Sequence, residues 1–579
     1  MIKLPEGITL QMLKTRHDLA TTHYNKAMKK ARLLDGADRG RLWEVIGAKF
    51  PKYQILTDSN HVAYIKNNLL ASVYSVGKVA NIIPTSEEDK DIVTQLNMAL
   101  ESAWKTSKAG YYQMLAGERA ALLNLGVTHV GWDNKNIKGN EKTNSFVKGD
   151  IKFKNINPLK YRRDPFADDI ETSEFAYYWD KLHETVIKND PRYKSEMEEY
   201  LINGAAASIS TQSIAGDIPG KENITEKGYH KLFYFWLRYD GKVYEIHTVD
   251  FKHVLHIVED LKPNDIPIAE LYCNVPAGDV IGTSEPSKIF ANSLAYNLMN
   301  SVLFTAEYKN QRPPRFINSQ SGLNINAFKK YGNEADYTFV VNGKASDAVH
   351  YHQFPQPSPQ LPVLMGMAAG DIKNLSGVDD RYTGRDTGSI ITTGGTEAML
   401  DQVTLIDAPK VENYNYYTQR LTRLVLTNLI EFSHKRKYFV KNPANGIHKD
   451  IEVNFPDVDV DTVFDYEIDI SPELPKNKQR IAQAATTLME KQMQYGQAGQ
   501  GVDFITPEEW LMFQDLPFKE FMTERMGIQR TQDYIEQVSQ TVFQYAELTN
   551  KGMDPEQALL TTANTLEQQQ RPQKQNPAI

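Results

Sequence analysis

The sequence predicts an α+β protein in which helices predominate. Apolar residues recur at helical spacing through the first 125 positions, and a period of two replaces that spacing in short runs between Val127 and about Phe251. Helical spacing returns in long segments after residue 283. A chain of 579 residues is also long enough for about three or four domains.

The N-terminal part, residues 1–283, is expected to start with helices and continue as β-structure. A spacing of three or four from Val62 to Ile83 predicts one amphipathic helix, and Gly126 is expected to stop a later one. Between the strands, Asn203–Gly228 is small, polar and rich in glycine, which predicts a mobile surface loop. Alternating residues predict strands at 127–132, 174–180, 230–239 and 243–249.

A long helix is predicted from Ser284 to about Asn310, because a cap candidate, an acidic residue and a proline open it. Phe290, Leu294, Leu298 and Val302 form a narrow apolar stripe at i, i+4 spacing. The other faces carry Asn, Ser, Ala and Tyr rather than Lys and Glu, so we expect close helix neighbours. These neighbours can belong to other subunits of a ring or to the core of a monomer.

A compact β-α-β-β unit is predicted next, within residues 312–359. Asn342-Gly343 between two apolar runs is a strong hairpin indicator, which places strands at about 337–341 and 348–354. His350 and His352 share one face of the last strand. No Cys, Asp or Glu is placed to complete a metal site, so we expect surface residues and no metal.

A second helix is predicted within residues 360–378, with Leu361, Met365 and Ile372 on one face. An exposed, adaptable loop rich in Gly and Thr follows at 379–395. A helix of about forty residues then begins near Thr396 and should kink at its internal proline. Short strands are expected before residue 471, helices over 471–567 and a disordered tail over 568–579.

Composition excludes several classes of protein. The net charge of −8 and pI near 6.0 disfavour tight, sequence-specific DNA binding. A single cysteine, Cys273, cannot form an intrachain disulfide or, alone, a zinc site. There is no apolar run of membrane-spanning length and no signal peptide, so we expect the protein on the cytoplasmic side and no membrane contact.

The order of these elements resembles that of the portal proteins of tailed bacteriophages. The segment 275–282 (VPAGDVIG), followed by Pro286 and by Arg312-Pro313-Pro314, is similar to the entry and end of the portal stem. Asn157-Pro158-Leu159 with the segment 163–170 (RDPFADDI) is similar to an extended stretch of the portal wing. The resemblance covers nearly the whole chain by architecture and a few short stretches by residue identity.

The resemblance implies a ring subunit with wing, stem, clip and crown regions. It implies stem packing by Phe290, Leu294, Leu298, Leu361, Met365 and Ile372, and adaptor docking on the clip by Phe328, Asn342, His350 and His352. The implied regions are wing 1–283, stem helix 284–311, clip 312–359, second stem helix 360–378, tunnel loop 379–395, wing helix and returning strands 396–470, crown 471–567 and tail 568–579.

The implied function is a channel at the unique vertex of the capsid, through which double-stranded DNA passes during packaging and ejection. The implied partners are further copies of the chain in a dodecamer, a separate terminase motor, a head-completion or tail adaptor, and the major capsid and scaffolding proteins. The expected location is the virion, with the host cytoplasm during assembly. No catalysis and no cofactor are implied.

The tunnel loop is the expected contact with DNA. Arg381 and Arg385 are its only basic residues, so we expect them to touch phosphates while nearby aspartates prevent tight binding. Twelve copies of a chain of net charge −8 would carry −96 around the channel. A plain surface loop without DNA contact is the alternative. The loop residues predicted to line the channel are Asp379, Asp380, Arg381, Tyr382, Arg385, Asp386, Thr392 and Thr393.

Two other classes of protein stay open. A nucleotide-driven or DNA-processing enzyme is disfavoured, because the sequence contains no phosphate-binding loop, dinucleotide fingerprint, zinc-protease motif or nucleophile elbow. A structural ring that does not pass DNA would share the assembly but not the channel.

Overall fold

The computed structural model describes most of the chain up to residue 433 and shorter segments beyond it. The described residues are 2–47, 49–74, 77, 80–83, 90–140, 145–202, 208–211, 224–261, 264–276, 280–332, 338–352, 354, 356–376, 393–433, 436–441, 448–453, 467–469, 485–492 and 510.

The described residues form a mixed α+β structure, as predicted. The helices are α1 (Leu10–Asp38), α2 (Leu42–Ile46), α3 (His61–Leu69), α4 (Lys90–Ser107), α5 (Ala109–Leu123), α6 (Glu184–Lys188), α7 (Lys194–Ile202), α8 (Glu285–Gln311), α9 (Ile325–Tyr331), α10 (Ala345–Ala348), α11 (Leu361–Ser376) and α12 (Thr393–Phe432). Residues 485–492 are also helical.

The strands pair in antiparallel fashion, in most cases with a strand that is close in sequence. They are β1 (Asn81–Ile83), β2 (Leu125–Asn140), β3 (Ser145–Ile156), β4 (Tyr161–Arg163), β5 (Phe175–His183), β6 (Ser208–Thr211), β7 (Ile224–Lys227), β8 (Tyr229–Tyr239), β9 (Lys242–Val249), β10 (His253–Val258), β11 (Ile268–Tyr272), β12 (Arg315–Ile317), β13 (Val349–Tyr351), β14 (Arg436–Lys441), β15 (His448–Val453) and β16 (Glu467–Asp469).

Two sheets organise the β-rich part. One has five strands in the order β10-β9-β8-β5-β4, and the other has three in the order β11-β2-β3. The strands predicted at 127–132, 174–180, 230–239 and 243–249 are all found, because each alternates apolar and polar residues on a half-buried surface. Part of the predicted loop 203–228 is strand instead, since β6 pairs with β7. Its residues 203–207 and 212–223 lie outside the described part.

The largest core cluster joins the N-terminal helices to α12. Tyr414 and Tyr417 are fully buried there, and the Tyr417 hydroxyl forms a 2.7 Å hydrogen bond with Thr128 of β2. The Tyr74 and Tyr414 rings meet edge to face. The long helix predicted after the glycine-rich loop therefore runs through the core, with Pro409 in its interior.

Two sequence predictions for the N-terminal part are wrong. The helix predicted from Val62 to Ile83 ends in a π-helical turn at Leu70–Tyr74, and β1 follows, because Gly77 lies against the backbone of Gly110. Helix α5 ends at Leu123 rather than at Gly126, since Asn124 adopts a left-handed φ of 67° and caps it.

The small unit between α8 and α11 also departs from the prediction. Residues 338–341 form no strand, and β13 pairs with β12 instead, so the hairpin predicted at Asn342-Gly343 is not formed. Its usual turn needs positive φ at both central residues, and only Gly343 has it. The Asn342 N–H instead donates to the carbonyl of Ser321 at 2.7 Å, which ties this segment to a neighbouring turn.

Among the described residues, no helix is both long and apolar enough to cross a bilayer.

Candidate functional site

Helix α8 begins at a well-built cap. The Ser284 side chain accepts a hydrogen bond from the Ser287 N–H at 3.3 Å, and Pro286 occupies the first turn. The segment before it is held by Asn124, whose side-chain amide donates to the carbonyls of Asn274 at 2.8 Å and Ile281 at 2.6 Å. The direction of α8 is therefore set by α5 at its start.

A buried ion cluster fixes the first turn of α8 to α12. The Glu285 carboxylate lies 2.9 Å from the Lys288 ammonium and 3.8 Å from that of Lys410. Lys410 also pairs with Asp407 at 2.9 Å. Burial alone would lower the pKa of Lys410, but the Asp407 carboxylate raises it above its usual value.

The buried face of α8 is polar. Asn297, Ser301 and Thr305 recur every four residues and are at most 8% exposed. Their side chains accept hydrogen bonds from the N–H groups of Ser59 at 2.8 Å, Thr57 at 3.0 Å and Ile55 at 2.9 Å, respectively. An extended segment before α3 is thus attached to the helix through alternate N–H groups, which are otherwise costly to bury.

The exposed face of α8 is apolar. Ala291, Ala295, Leu298 and Val302 are all exposed and recur at a spacing of four, three and four, so they form one stripe along the helix. Leu298 is 42% exposed and Val302 is 43% exposed. We call these four residues the α8 stripe. Over this part of its length, α8 buries polar side chains and exposes apolar ones within the single chain.

Helix α11 runs back along α8. Pro359 and Pro362 near its start line a groove of about 460 Å³ with Leu303 and Phe304 of α8. Ile372, near its end, joins the core cluster that contains Ile289 at the start of α8. The two helices are therefore antiparallel neighbours.

The outer face of α11 is also apolar. Val363 and Met367 are each 63% exposed, and Leu364 and Leu375 are about half exposed. A side chain added at Gly366 or Gly370 would meet no atom of the described chain within 4 Å. Helices α8 and α11 thus both expose apolar side chains in the single chain.

The six residues predicted to pack the stem differ in how deeply they are buried. Ile372 is buried, and Phe290 and Leu294 are partly buried against the main core. Leu361 and Met365 are half-buried, and Leu298 is exposed. Packing of the inner group is within the chain, and packing of Leu298 stays a prediction about neighbouring subunits.

The residues predicted to dock an adaptor are not all at the surface. Phe328 is 8% exposed and packs against the Phe339 ring, so it stabilises the small unit instead of offering a docking surface. Asn342, His350 and His352 are exposed. The His352 ring lies 6.1 Å from the exposed ring of Phe316, which the sequence did not single out.

The residues predicted to touch DNA, from Asp379 to Thr392, lie outside the described residues, and Thr393 is described only as the first residue of α12.

Beside the five-stranded sheet, two histidines and a tryptophan surround the carboxylate of Glu245, and the sequence did not predict this cluster. The Glu245 carboxylate lies 2.7 Å from His247 Nε2 and accepts a hydrogen bond from Trp236 Nε1 at 3.2 Å. Burial alone would raise the pKa of Glu245, but the interactions with His247, His129 and Trp236 together outweigh burial and lower the pKa to about 2. His129 stacks on Trp236, and burial lowers its pKa to about 4. Glu245, His247 and Trp236 lie on neighbouring strands of one sheet, whereas His129 comes from β2 of the three-stranded sheet, so only the packing of the two sheets brings the four residues together.

His129 makes the fold sensitive to acid. Its folded pKa of about 4 lies below the ordinary value of 6.5, so the unfolded chain binds more protons between these values. The contribution of His129 to the free energy of unfolding is therefore complete above about pH 6.5. It falls as the pH is lowered towards 4, by at most about 3 kcal/mol. In denaturant titrations, His129→Phe should show a smaller loss between pH 7 and pH 4.5 than the unsubstituted protein. Equal losses would contradict this assignment.

No protein-family model matches the chain, and none of the curated proteins matches it either.

Proposed function

We propose that the chain is the subunit of a portal ring through which a tailed bacteriophage packages and ejects its DNA. The observation that supports this best is the pair of antiparallel helices α8 and α11, with a small β-containing unit between them and uncovered apolar surface on both. At 1.5 Å per residue, the 27 residues of α8 span about 40 Å, a length suited to the wall of a channel.

The charge of these helices fits a wall along which DNA slides. Helix α8 contains two acidic and two basic residues, and α11 contains Asp371 and Lys373. Each helix is therefore neutral, and neither is a basic surface of the kind that binds phosphates tightly. Weak contact with a passing polyanion is what a channel requires, because strong contacts would retard the movement of the DNA.

Electron-microscope class averages of the purified protein test the proposal. We expect closed rings, twelvefold in virions, with a hole wide enough for a DNA duplex. A stable monomer that is also absent from the tail-bearing vertex of particles would refute the proposal. A ring whose hole is too narrow for a duplex would instead favour a structural ring. ATP hydrolysis by the purified chain would favour an enzyme.

The tunnel-loop arginines provide a functional test. Substituting Arg381 and Arg385 by alanine should reduce the length of packaged DNA or its retention, because two phosphate contacts per subunit are removed. Packaged DNA length can be measured by gel electrophoresis of DNA extracted from particles. Lys373→Ala, which removes a positive charge from α11, serves as the control. Unchanged packaging and retention would count against DNA contact by the loop.

A further inference from the structure

Helix α7 and strand β10 bring three metal-binding side chains together. Glu196 and Glu199 are one turn apart on α7, so they lie on the same side of the helix. His253 is the first residue of β10, and its Nε2 lies 3.0 Å from an oxygen of Glu196. One potential ligand atom from each of the three residues lies within 4.8 Å of the other two.

A rigid base supports this cluster. Met197 and Tyr200, next to the two glutamates in sequence, are buried with Leu255 of β10 in one apolar cluster. The Tyr200 ring lies 5.8 Å from the His253 ring. His253 is 4% exposed, whereas both glutamates are half-buried, so the carboxylates can adjust while the imidazole stays in place.

The donor set selects a class of metal. One imidazole and two carboxylates suit Zn²⁺ and similar transition-metal ions, whereas Mg²⁺ and Ca²⁺ prefer oxygen ligands alone. Zn²⁺ binds such atoms at about 2.0–2.2 Å, which places neighbouring ligand atoms of a tetrahedral site about 3.3–3.6 Å apart. The 3.0 Å separation of Glu196 and His253 needs to widen by only a few tenths of an ångström to reach this range, and rotation of the Glu199 side chain can bring in the third ligand.

We propose that Glu196, Glu199 and His253 bind a Zn²⁺ ion, with water in the fourth position. The ion takes the place of the hydrogen bond between Glu196 and His253. Because β10 is an edge strand of the five-stranded sheet, the ion joins α7 to that edge and protects it from pairing with other chains. The site does not depend on ring assembly or DNA passage, so it goes beyond the proposed function.

Equilibrium dialysis of the purified full chain against Zn²⁺ tests the site. We expect one ion per chain that the Glu199→Gln variant binds at least about 100-fold more weakly, because a metal ligand is lost. Glu198→Gln is the matched control, since it removes the same charge from an exposed position of the same helix. Glu199→His should retain binding, because it supplies another ligand. Mg²⁺ should not compete at equal concentration.

Thermal unfolding gives a second measurement. Zn²⁺ should raise the Tm of the unsubstituted protein and of Glu198→Gln, but not that of Glu199→Gln. Equal unfolding temperatures without metal would show that the variants fold alike. The proposal is overturned if the unsubstituted protein binds no Zn²⁺, or if Glu199→Gln binds it as tightly as Glu198→Gln.

Discussion

Replacing Leu298 and Val302 by aspartate should leave the protein monomeric under conditions in which the unsubstituted chain forms rings. Both side chains belong to the α8 stripe and are exposed in the single chain, so the substitutions create no cavity within the subunit. In a ring they would place unpaired charges in an apolar contact, which costs several kcal/mol. A ring has one such contact for every subunit, so the cost is repeated around it.

Light scattering coupled to size-exclusion chromatography measures the outcome, and class averages check for residual rings. The control adds two charges at exposed polar positions, by Gln311→Glu on α8 and Asn374→Asp on α11, and should assemble normally. Far-UV circular dichroism should be unchanged in both variants. Rings of normal size formed by the Leu298→Asp, Val302→Asp protein would show that the α8 stripe is not the subunit interface.

The sequence was sufficient to predict α8 because the start of this helix is local. Ser284, Glu285 and Pro286 form a cap whose chemistry requires no tertiary contact, and the predicted end at about Asn310 is one residue from the observed one. The strands of the five-stranded sheet were predictable for the same reason, since alternation is a property of each strand by itself.

The orientation of α8 was not predictable from its apolar residues. The stripe of Phe290, Leu294 and Leu298 indicates one inward face, but Leu298 is exposed. The fully buried positions at this level of the helix are Asn297 and Ser301, while Phe290 and Leu294 are only partly buried. Those polar groups are stabilised inside by N–H groups of residues about 240 positions away, with Ser59 donating to Asn297 at a separation of 238 residues. A partner so distant in sequence leaves no periodic pattern within the helix itself.

The same limit applies to the small unit and to the zinc site. Asn342-Gly343 is a sound local indicator of a hairpin, yet β12 supplies the strand that pairs with β13. His253 and Glu196 lie 57 residues apart and meet only because α7 packs against an edge strand. Sequence patterns therefore predict which elements form, while contacts between distant elements decide which of their faces become sites.

Replacing Glu270 by alanine should strongly destabilise the β-rich part of the fold. Its carboxylate accepts hydrogen bonds from the hydroxyls of Tyr161 at 2.7 Å and Tyr272 at 3.0 Å, and lies 3.3 Å from Arg163 Nε. The Arg163 and Glu270 side chains are each 4% exposed. Removing the carboxylate leaves a buried guanidinium without its counter-charge, which costs about 3–5 kcal/mol.

Arg163 also explains why most of the segment 163–170, which the resemblance implied to be extended, forms turns and bends. Its guanidinium donates to the carbonyls of Asp168 at 3.0 Å and Asp164 at 3.3 Å, so the chain wraps around one buried cation. Glu270 is thus the anion on which this turn depends. Loss of the carboxylate should loosen the turn as well as the contact between β4 and β11.

Guanidinium chloride unfolding, measured in the monomeric Leu298→Asp, Val302→Asp background, separates this effect from ring assembly. Glu101→Ala is the control, because its pair with Lys105 is exposed and should change the free energy of unfolding by less than about 1 kcal/mol. If Glu270→Ala unfolds at the same denaturant concentration as the Glu101→Ala control, the ion pair does not stabilise the fold.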